Sequence, residues 1–490
     1  MNFRTALLIS LFVLAVFPAS ATNTFCQEPV TGHSQLRPCS IKGIEEKMLC
    51  GEFEVFENRI VRSGRKIKLK IIVIPASNAS SNETPLFYLD GGPGLAATQN
   101  TRFFAVDVTN YRRDRDIVLV DQRGTGGSNA LSCSPTSSSP QYFLDEMYPV
   151  EYVKKCRSEL EKKADLTQYT TEIAMDDLDD IRIWLGYSKI NIWGLSYGTR
   201  AAQIYMRRHP GSVRSVVLSG ALPTDHKMPM YHARDGQRAL DLLLDSCLAN
   251  QSCNSAFPNI KQELRTLIRN LRQSPAKVKY TQPKSNAKYH LRITADVFAE
   301  FLRKRLYSPA SSRKVPLIIH QASLGDFVPF LNAIIPQDNG IHDDDSDGLY
   351  LSVTCAEDVP FISAASALKQ SENTIFDSYR LIQQKRACGL WKRGKVSAGF
   401  RSPVVSNIPT LILSGNFDPI TPPELGMKIA AHLSQSRQIV IATNAHIEDG
   451  LSNLECLDNL ILTFINSADI HKLDASCLDK MTPQPFVVKK

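Results

Sequence analysis

The chain has 490 residues, of which 43% are hydrophobic and 22% are charged, as in ordinary globular proteins. This length allows one large domain with an insertion, or two to three smaller domains. The formal net charge of +8 is modest for the size, and the basic residues lack both interleaved aromatic residues and a known nucleic-acid-binding motif, which argues against a nucleic-acid partner.

The first 21 residues have the three parts of a secretory signal peptide. A short basic start over residues 1–4 precedes an apolar segment over residues 5–17 that is too short to span a bilayer. Ala19-Ser20-Ala21 then provides a small-x-small cleavage site, and no later apolar stretch approaches membrane-spanning length. We therefore expect residues 1–21 to be removed and the mature protein to be secreted or periplasmic, without an integral membrane segment.

The cysteine content also indicates an oxidising compartment. The chain has 11 cysteines, more than is typical of a cytosolic enzyme, and none forms a Cys-x-x-Cys pair that would indicate a zinc or redox site. Sequence cannot fix the connectivity, but nearness along the chain suggests five disulfide bonds: Cys39–Cys50, Cys133–Cys156, Cys247–Cys253, Cys355–Cys388 and Cys456–Cys477. This leaves Cys26 over, or exchanging with Cys39.

From residue 68 onward, apolar β-branched runs alternate with segments of helical periodicity. The predicted elements, in chain order, are strands over residues 68–75, 85–89 and 116–120, a helix over 171–185, a strand over 189–193, a helix over 199–208 and a strand over 213–218. Near-continuous apolar strands separated by helices are typical of a mostly parallel sheet with helices on both faces. The sequence therefore predicts an α/β fold.

The pattern changes after Pro223. Residues 226–395 contain helical segments over 235–248, 260–271, 295–306 and 366–388, without a convincing apolar strand. Strand patterns return over 409–414 and 438–442, and a last helix is predicted over 454–465. We therefore expect residues 22–225 and 396–490 to form two parts of one α/β core. Residues 226–395 would form a helical insertion, placed as a lid over the ends of the neighbouring strands.

The string Gly194-Leu195-Ser196-Tyr197-Gly198 lies between a predicted buried strand and a predicted amphipathic helix. A strand, a sharp turn and a helix in this order lift a serine hydroxyl into a cleft, and the two glycines permit the close backbone approach that the turn needs. The pattern predicts that Ser196 is a nucleophile.

A serine hydroxyl needs a base to remove its proton and a carboxylate to orient that base. In hydrolases with this turn, the acid and then the histidine follow the serine along the chain. Asp418 follows the strand predicted over 409–414, and His446 follows the strand predicted over 438–442. We expect these two residues to complete a catalytic triad with the serine. Asp225, after the preceding strand, is the main alternative acid.

The negatively charged oxygen that forms in such a reaction needs two N–H donors. The backbone of Tyr197, the first residue of the predicted helix, is expected to supply one of them. The other is expected from Gly92 in the loop Asp90-Gly91-Gly92-Pro93-Gly94, because the absence of a Cβ lets the backbone turn its N–H into the cleft.

Four segments carry a family resemblance: Asp90-Gly-Gly-Pro-Gly94, Asp121-Gln-Arg-Gly-Thr-Gly-Gly-Ser128, Gly194-Leu-Ser-Tyr-Gly-Thr-Arg200 and Ser414-Gly-Asn-Phe-Asp418-Pro. Together they resemble the α/β-hydrolase aminopeptidases, in particular the proline iminopeptidases and secreted tripeptidyl aminopeptidases. The resemblance implies an α/β-hydrolase fold with an inserted helical lid, and the release of N-terminal residues or short peptides from peptide substrates through an acyl-enzyme. It implies no metal and no organic cofactor.

The chain also departs from that family. Asp90 stands where proline iminopeptidases usually have histidine, Ala445 precedes His446 where glycine is common, and the lid is longer than in small proline iminopeptidases. A preference for N-terminal proline therefore does not carry over.

An aminopeptidase must also bind the α-amine of its substrate. In this group, acids near the end of the lid do so, and Thr354-Cys355-Ala356-Glu357-Asp358 resembles that segment. The resemblance therefore implies that Glu357 and Asp358 bind the substrate amine, whereas a solvated acidic turn after a disulfide cysteine is the alternative.

Two alternative functions stay open: a secreted esterase or lipase with the same triad, and a non-catalytic binding protein on the same fold. The sequence leaves the oligomeric state open.

Overall fold

The computed structural model describes residues 35–489, except residues 79, 82, 135, 136, 138 and 337–345. The predicted signal peptide over residues 1–21 and Cys26 lie outside the described residues. Within the described residues, eleven strands form: β1 (Arg37–Ile41), β2 (Ile44–Phe56), β3 (Lys66–Ile74), β4 (Leu86–Leu89), β5 (Ile117–Val120), β6 (Ile190–Leu195), β7 (Val213–Ser219), β8 (Ala276–Thr281), β9 (Lys288–Ile293), β10 (Thr410–Gly415) and β11 (Ser436–Ile441).

The same part of the chain forms fifteen α-helices: α1 (Val150–Leu160), α2 (Thr171–Trp184), α3 (Tyr197–Arg208), α4 (His232–Ala249), α5 (Gln251–Ala256), α6 (Ile260–Gln273), α7 (Ala295–Arg305), α8 (Pro309–Ser312), α9 (Val315–Ser323), α10 (Val328–Ile334), α11 (Asp347–Glu357), α12 (Ala364–Ser371), α13 (Tyr379–Leu390), α14 (Pro423–Ala430) and α15 (Leu454–Ser467). None of these helices, within the described residues, has both the length and the apolar character that crossing a bilayer requires.

Nine of these strands form one sheet in the order β1-β2-β3-β5-β4-β6-β7-β10-β11. The six strands from β5 to β11 pair in parallel, whereas β1, β2 and β3 pair antiparallel with their neighbours. The predicted mostly parallel sheet is confirmed. At one edge it is extended by β1 and β2, two strands that were not predicted from the sequence. Because parallel strands end at the same edge of a sheet, the loops after β4, β6, β10 and β11 lie on one side of the molecule.

Helices cover both faces of the sheet and bury its central strands. Successive side chains of a strand point to opposite faces. In β4, Phe87 and Leu89 belong to the apolar core that contains α2 and α3, whereas Leu86 and Tyr88 belong to the core that contains α15. The four residues of β4 are accordingly all buried. This two-sided burial explains why the strands read as continuous apolar runs.

The segment between β7 and β10 has an apolar core of its own. Leu240 of α4, Leu264 of α6, Phe298 of α7 and Phe330 of α10 are all buried in it. This core is separate from the two cores on the faces of the sheet. Helices α11 and α13 of the same segment instead share a fourth apolar core with α1.

Two features of the inserted segment differ from the prediction. It contains the antiparallel hairpin β8–β9, so the expectation of no strand there is wrong. In that hairpin Tyr280, Leu291 and Ile293 are the buried positions, and charged residues between them conceal the apolar alternation. The helix predicted over 366–388 is two helices, α12 and α13, because Asn373 and Asp377 between them adopt left-handed backbone angles, φ 59° and 45°, which an α-helix cannot contain.

All five predicted disulfide bonds are present: Cys39–Cys50, Cys133–Cys156, Cys247–Cys253, Cys355–Cys388 and Cys456–Cys477. Two of them lie within the inserted segment, where one joins α4 to α5 and another joins α11 to α13. Covalent links of this kind stabilise a fold chiefly by restricting its unfolded chain.

The packing of α15 on the sheet gives a direct test of the fold. Leu460 is 4% exposed in the core beneath α15, whereas Leu454 on the same helix is 40% exposed. We expect Leu460→Ala to lower the free energy of unfolding by about 2–5 kcal/mol, because it leaves a cavity in the core. Leu454→Ala, the matched control, should change it by less than about 1 kcal/mol. Urea denaturation of the two variants measures both values, and equal losses would contradict the packing described.

Candidate active site

Ser196 lies in a strained turn between β6 and α3, here called the serine turn (residues 194–198). Its backbone angles, φ 55° and ψ −119°, are rare for a residue with a side chain, and such strain clusters at functional sites. A Cβ on Gly194 would lie 2.4 Å from the carbonyl oxygen of Gly198, and a Cβ on Gly198 would lie 2.1 Å from that of Leu89. Only glycine permits these approaches, which hold Ser196 at the carboxyl end of β6.

Asp418 and His446 are hydrogen-bonded to each other in the loops that follow β10 and β11. Nδ1 of His446 lies 2.7 Å from Oδ2 of Asp418. Oδ1 of Asp418 accepts the backbone N–H groups of Ile420 and Thr421 at 2.8 Å each, and Oδ2 accepts the Thr421 hydroxyl at 2.7 Å. Both Asp418 and His446 are buried.

The charges of this pair support each other. Burial alone would raise the pKa of Asp418, but the imidazole of His446 and the surrounding hydrogen bonds bring it below its ordinary value. Burial alone would lower the pKa of His446, and the Asp418 carboxylate raises it above its ordinary value. An ionised Asp418 holds a proton on Nδ1, which leaves Nε2 of the neutral imidazole as a proton acceptor.

Asp225, the alternative acid, lies elsewhere. Its carboxylate forms an ion pair with Lys428 and is partly exposed to solvent. The carboxylate bonded to His446 is that of Asp418.

A cavity of about 840 Å³ brings the other expected residues together. Ser196, His446 and Gly92 all line it. Gly92 has φ 103°. A Cβ on the preceding residue, Gly91, would lie 3.1 Å from Cβ of Ser196, so the glycine loop (residues 90–94) passes directly beside the serine. Tyr197 follows Ser196 and begins α3, where the first backbone N–H groups have no acceptor within the helix.

Two residues that contact the pair were not predicted from the sequence. Thr421 bonds Asp418, and an Asp-x-x-Thr spacing after a strand is a turn signal that was available in the sequence. The carbonyl oxygen of Tyr307, just after α7, accepts the backbone N–H groups of His446 and Ile447 at 3.0 and 2.9 Å. Because that contact uses a backbone carbonyl, no residue type in the sequence indicates it. The inserted segment therefore directly holds the histidine loop.

Glu357 and Asp358 do not lie at the cavity. The Thr171 N–H donates to Oε1 of Glu357 at 2.7 Å, and the Thr171 hydroxyl lies 2.8 Å from Oε2. That hydroxyl also lies 2.7 Å from the phenol oxygen of Tyr197. Asp358 forms an ion pair with Arg200 at 3.0 Å.

Both carboxylates are fully buried and absent from the residues that line the cavity. The expected binding of a substrate amine by Glu357 and Asp358 therefore does not fit their positions. They anchor the first turn of α3, because Tyr197 and Arg200, with which they interact, both belong to that turn.

Other residues with ionisable side chains line the cavity: Asp90, Asp145, Glu146, His232, Glu300, Arg303, Lys304, Asp347 and Arg380. Oδ1 of Asp90 accepts the Gly91 N–H at 2.7 Å, so Asp90 shapes the glycine loop. Asp347 accepts the Tyr152 hydroxyl at 2.8 Å, and its neighbour Ser346 donates its N–H to the carbonyl oxygen of Gly94 at 3.2 Å. Asp347 thus lies beside the glycine loop.

No three His, Cys, Asp or Glu side chains among the described residues are grouped so that they could hold a metal ion.

Glu357 has an unusual protonation equilibrium. Burial raises its pKa to about 8, although Arg200 and the hydrogen bonds from Thr171 act in the opposite direction. Since this value lies above the ordinary 4.5 of an unfolded chain, the folded protein holds the proton more tightly. The contribution of Glu357 to stability is therefore complete below a pH of about 4.5 and is lost as the pH rises toward about 8.

Glu357→Gln keeps the shape of the neutral acid and both contacts with Thr171, but it does not titrate. We expect the variant and the parent to have similar unfolding free energies near about pH 5. Near about pH 8 to 9 the variant should be the more stable protein, because the parent must bury a charge there. Urea denaturation across this pH range measures the difference, and a variant that loses stability on the alkaline side would contradict the assignment.

Comparison with known proteins is consistent with this architecture. A family model described as alpha/beta hydrolase fold matches residues 84–447. A putative hydrolase, YuaR, of Escherichia coli strain K12 is 26% identical over 194 residues, which are 38% of this chain and 38% of that protein. A probable proline iminopeptidase of Streptomyces coelicolor is 32% identical over 136 residues, 28% of this chain and 32% of that protein. A tripeptidyl aminopeptidase of Streptomyces lividans is 28% identical over 207 residues, 38% of this chain and 37% of that protein.

The chain thus spans between 32% and 38% of the length of these curated relatives. The family model, in contrast, extends from just before β4 to just after His446 and so includes the serine turn and the Asp418–His446 pair. On this match, the chain belongs to the alpha/beta hydrolase fold family.

Proposed function

We propose that the chain is an exported serine exopeptidase that releases N-terminal residues or short peptides through an acyl-enzyme. One observation carries the proposal: His446, bonded to Asp418 at 2.7 Å, lines the same cavity as the strained Ser196. A serine of this kind is reactive only when a base and an orienting acid accompany it.

In the proposed reaction, the Ser196 hydroxyl attacks the carbonyl carbon of the scissile amide and Nε2 of His446 takes its proton. The developing oxyanion is held by the N–H groups of Gly92 and Tyr197. His446 then passes the proton to the leaving amine, and the acyl group remains as an ester on Ser196. Water, deprotonated by His446, hydrolyses that ester and restores the serine. Asp418 remains ionised throughout and stabilises the protonated imidazole.

The proposed substrate is a peptide with a charged N-terminal amine. Two relatives from Streptomyces are named as a proline iminopeptidase and a tripeptidyl aminopeptidase, and both names describe cleavage near the N-terminus. A cavity of about 840 Å³ is at the upper end of the volumes that hold drug-sized ligands, so it has room for more than one amino-acid residue.

We assign the amine contact to Asp347. Of the other acids lining the cavity, Glu300 is already bonded to Arg303 and Arg380. Asp90 accepts hydrogen bonds from Gly91 and Asn100 within its own loop, and Asp145 and Glu146 are solvent-exposed. Asp347 is partly buried, and its neighbour Ser346 is hydrogen-bonded to the glycine loop beside the serine. An ammonium group there would gain a charge-assisted hydrogen bond.

We further propose that residues 226–395 act as a lid and that the protein is exported. The lid supplies much of the cavity wall, including Glu300, Arg303 and Tyr307. Export is supported by the signal-like residues 1–21 and by the five disulfide bonds, which persist in oxidising compartments.

The identity of the acid is tested by a matched pair of variants. Asp418→Asn should lower kcat by about 10³- to 10⁴-fold, because the imidazole loses its orienting charge. Asp225→Asn, which removes the carboxylate paired with Lys428, should stay near the parent value. Labelling by a fluorophosphonate probe and turnover of a peptide amide measure both variants, with Ser196→Ala as the unlabelled control. Loss of activity in Asp225→Asn, together with full activity in Asp418→Asn, would refute the assignment.

The peptidase proposal is tested with three substrates: a short peptide amide with a free amine, its N-acetylated form, and a small neutral ester. The parent should cleave the free-amine peptide with the highest kcat/KM. Asp347→Asn should lower kcat/KM for the free-amine peptide by roughly ten- to a hundredfold, because the substrate ammonium loses a charge-assisted hydrogen bond. The variant should hydrolyse the ester as the parent does. Asp145→Asn, an exposed acid of the same cavity, is the control. A parent that prefers the acetylated peptide or the ester is not an aminopeptidase.

A further inference from the structure

His232 is a buried imidazole in the active-site cavity without a partner in the described protein. The residue is 5% exposed and lines the same cavity as Ser196 and His446. Among the described residues, neither its Nδ1 nor its Nε2 has a hydrogen-bond partner. Burying a polar group without a partner is unfavourable, and a neutral imidazole has one donor and one acceptor to offer. Both nitrogens therefore lack a partner within the described protein, on a ring that belongs to the cavity wall.

The charged groups that face His232 are mainly cations. Burial, and then the guanidinium groups of Arg303 and Arg380, lower the pKa of His232 well below its ordinary value, against the opposing effect of Glu300. The buried ring of His226 acts in the same direction as the two arginines. His232 is consequently neutral near pH 7, and its surroundings favour a negatively charged ligand.

The two arginines share one carboxylate. Oε1 and Oε2 of Glu300 accept hydrogen bonds from Arg303 at 2.5 and 2.9 Å, and Oε1 accepts one from Arg380 at 3.0 Å. One negative charge between two guanidinium groups leaves a positive charge over. Lys304 of the same cavity is a third cation, exposed to solvent, and the carboxylates of Glu300 and Asp347 act on it. Like charges repel and opposite charges attract, so this part of the wall favours an added anion.

Arg380 also has an unused donor. Its terminal nitrogens bond Glu300 and, at 3.0 Å, the hydroxyl of Tyr350. Its Nε is buried and, within the described part of the chain, has no hydrogen-bond partner. The cavity wall thus combines an unpartnered imidazole and an unpartnered guanidinium N–H with surplus positive charge.

We propose that His232, Arg380 and Lys304 form a subsite for a carboxylate group of the substrate. A carboxylate has the acceptor atoms that the imidazole and guanidinium donors require, and its charge balances the surplus on this wall. A neutral carbonyl group would satisfy a donor but leave the charge uncompensated. The inference rests on the proposed function for the identity of the substrate as a peptide. The carboxylate comes either from the C-terminus of a short peptide or from an aspartate or glutamate side chain.

Binding without turnover tests the subsite. In a Ser196→Ala background, calorimetry compares a tetrapeptide with its C-terminal carboxamide, and peptides that carry Glu with those that carry Gln at the same position. We expect the carboxylate member of at least one pair to bind about tenfold more tightly or better. The pair that shows the preference identifies whether the carboxylate is C-terminal or belongs to a side chain.

Three further substitutions in that background assign the subsite. His232→Phe keeps an aromatic ring at this position and removes no hydrogen bond within the described protein, so we expect the fold to be retained. The ratio of the affinities for the carboxylate peptide and its neutral partner should fall to near one. Lys304→Met should reduce the preference severalfold. His226→Phe, a buried histidine that does not line the cavity, should leave it intact.

Equal affinities within every pair would overturn the proposal, as would an undiminished preference in both His232→Phe and Lys304→Met. Turnover by the parent is a separate readout. If the carboxylate preference is present but the parent cleaves no peptide, the proposed function fails and the subsite stands.

Discussion

The close approach of three backbones at the serine turn is the constraint on which the site depends. The separations at Gly194 and Gly198 leave no room for a Cβ, so β4, β6 and α3 converge on one point. That convergence strains Ser196 and places the first N–H of α3 beside the glycine loop. The strain is balanced by buried contacts around the turn, including the bond from Thr171 to Tyr197 and the ion pair of Arg200 with Asp358.

The inserted segment is bonded to the rest of the described chain at many places, and two of them hold the elements that carry His446 and Ser196. At one, the Tyr307 carbonyl holds the loop of His446; at the other, the carboxylate of Glu357 at the end of α11 reaches the first turn of α3 through Thr171. Between these two places, charged side chains of α7 and α13 form the cavity wall. The same segment therefore positions the loop of His446 and the first turn of α3, and it contributes charged groups to the cavity.

Much of this molecule could be predicted from its sequence, and the failures have physical causes. Buried strands and the chain order of Ser196, Asp418 and His446 are visible because burial on two faces and strand-end loops leave local patterns. The hairpin β8–β9 was missed because charged residues occupy its exposed positions. The resemblance implied that Glu357 and Asp358 bind the substrate amine, because their segment matches acids near the end of the lid in that group. A sequence match does not show which way a side chain points, and both carboxylates point toward α3. The contact from Tyr307 involves a backbone atom, which residue identity does not encode.

Helix α11 connects the cavity to the serine turn with a fixed length. Its eleven residues begin with Asp347, at the cavity, and end with Glu357, beneath the turn, about 15 Å away along the helix axis. A single inserted or deleted residue within it would rotate one end by about 100° relative to the other and misplace one of the two carboxylates. Length variation among homologous chains should thus avoid this helix. It should collect instead in exposed connections such as residues 283–286, between β8 and β9, where added residues disturb no packed contact.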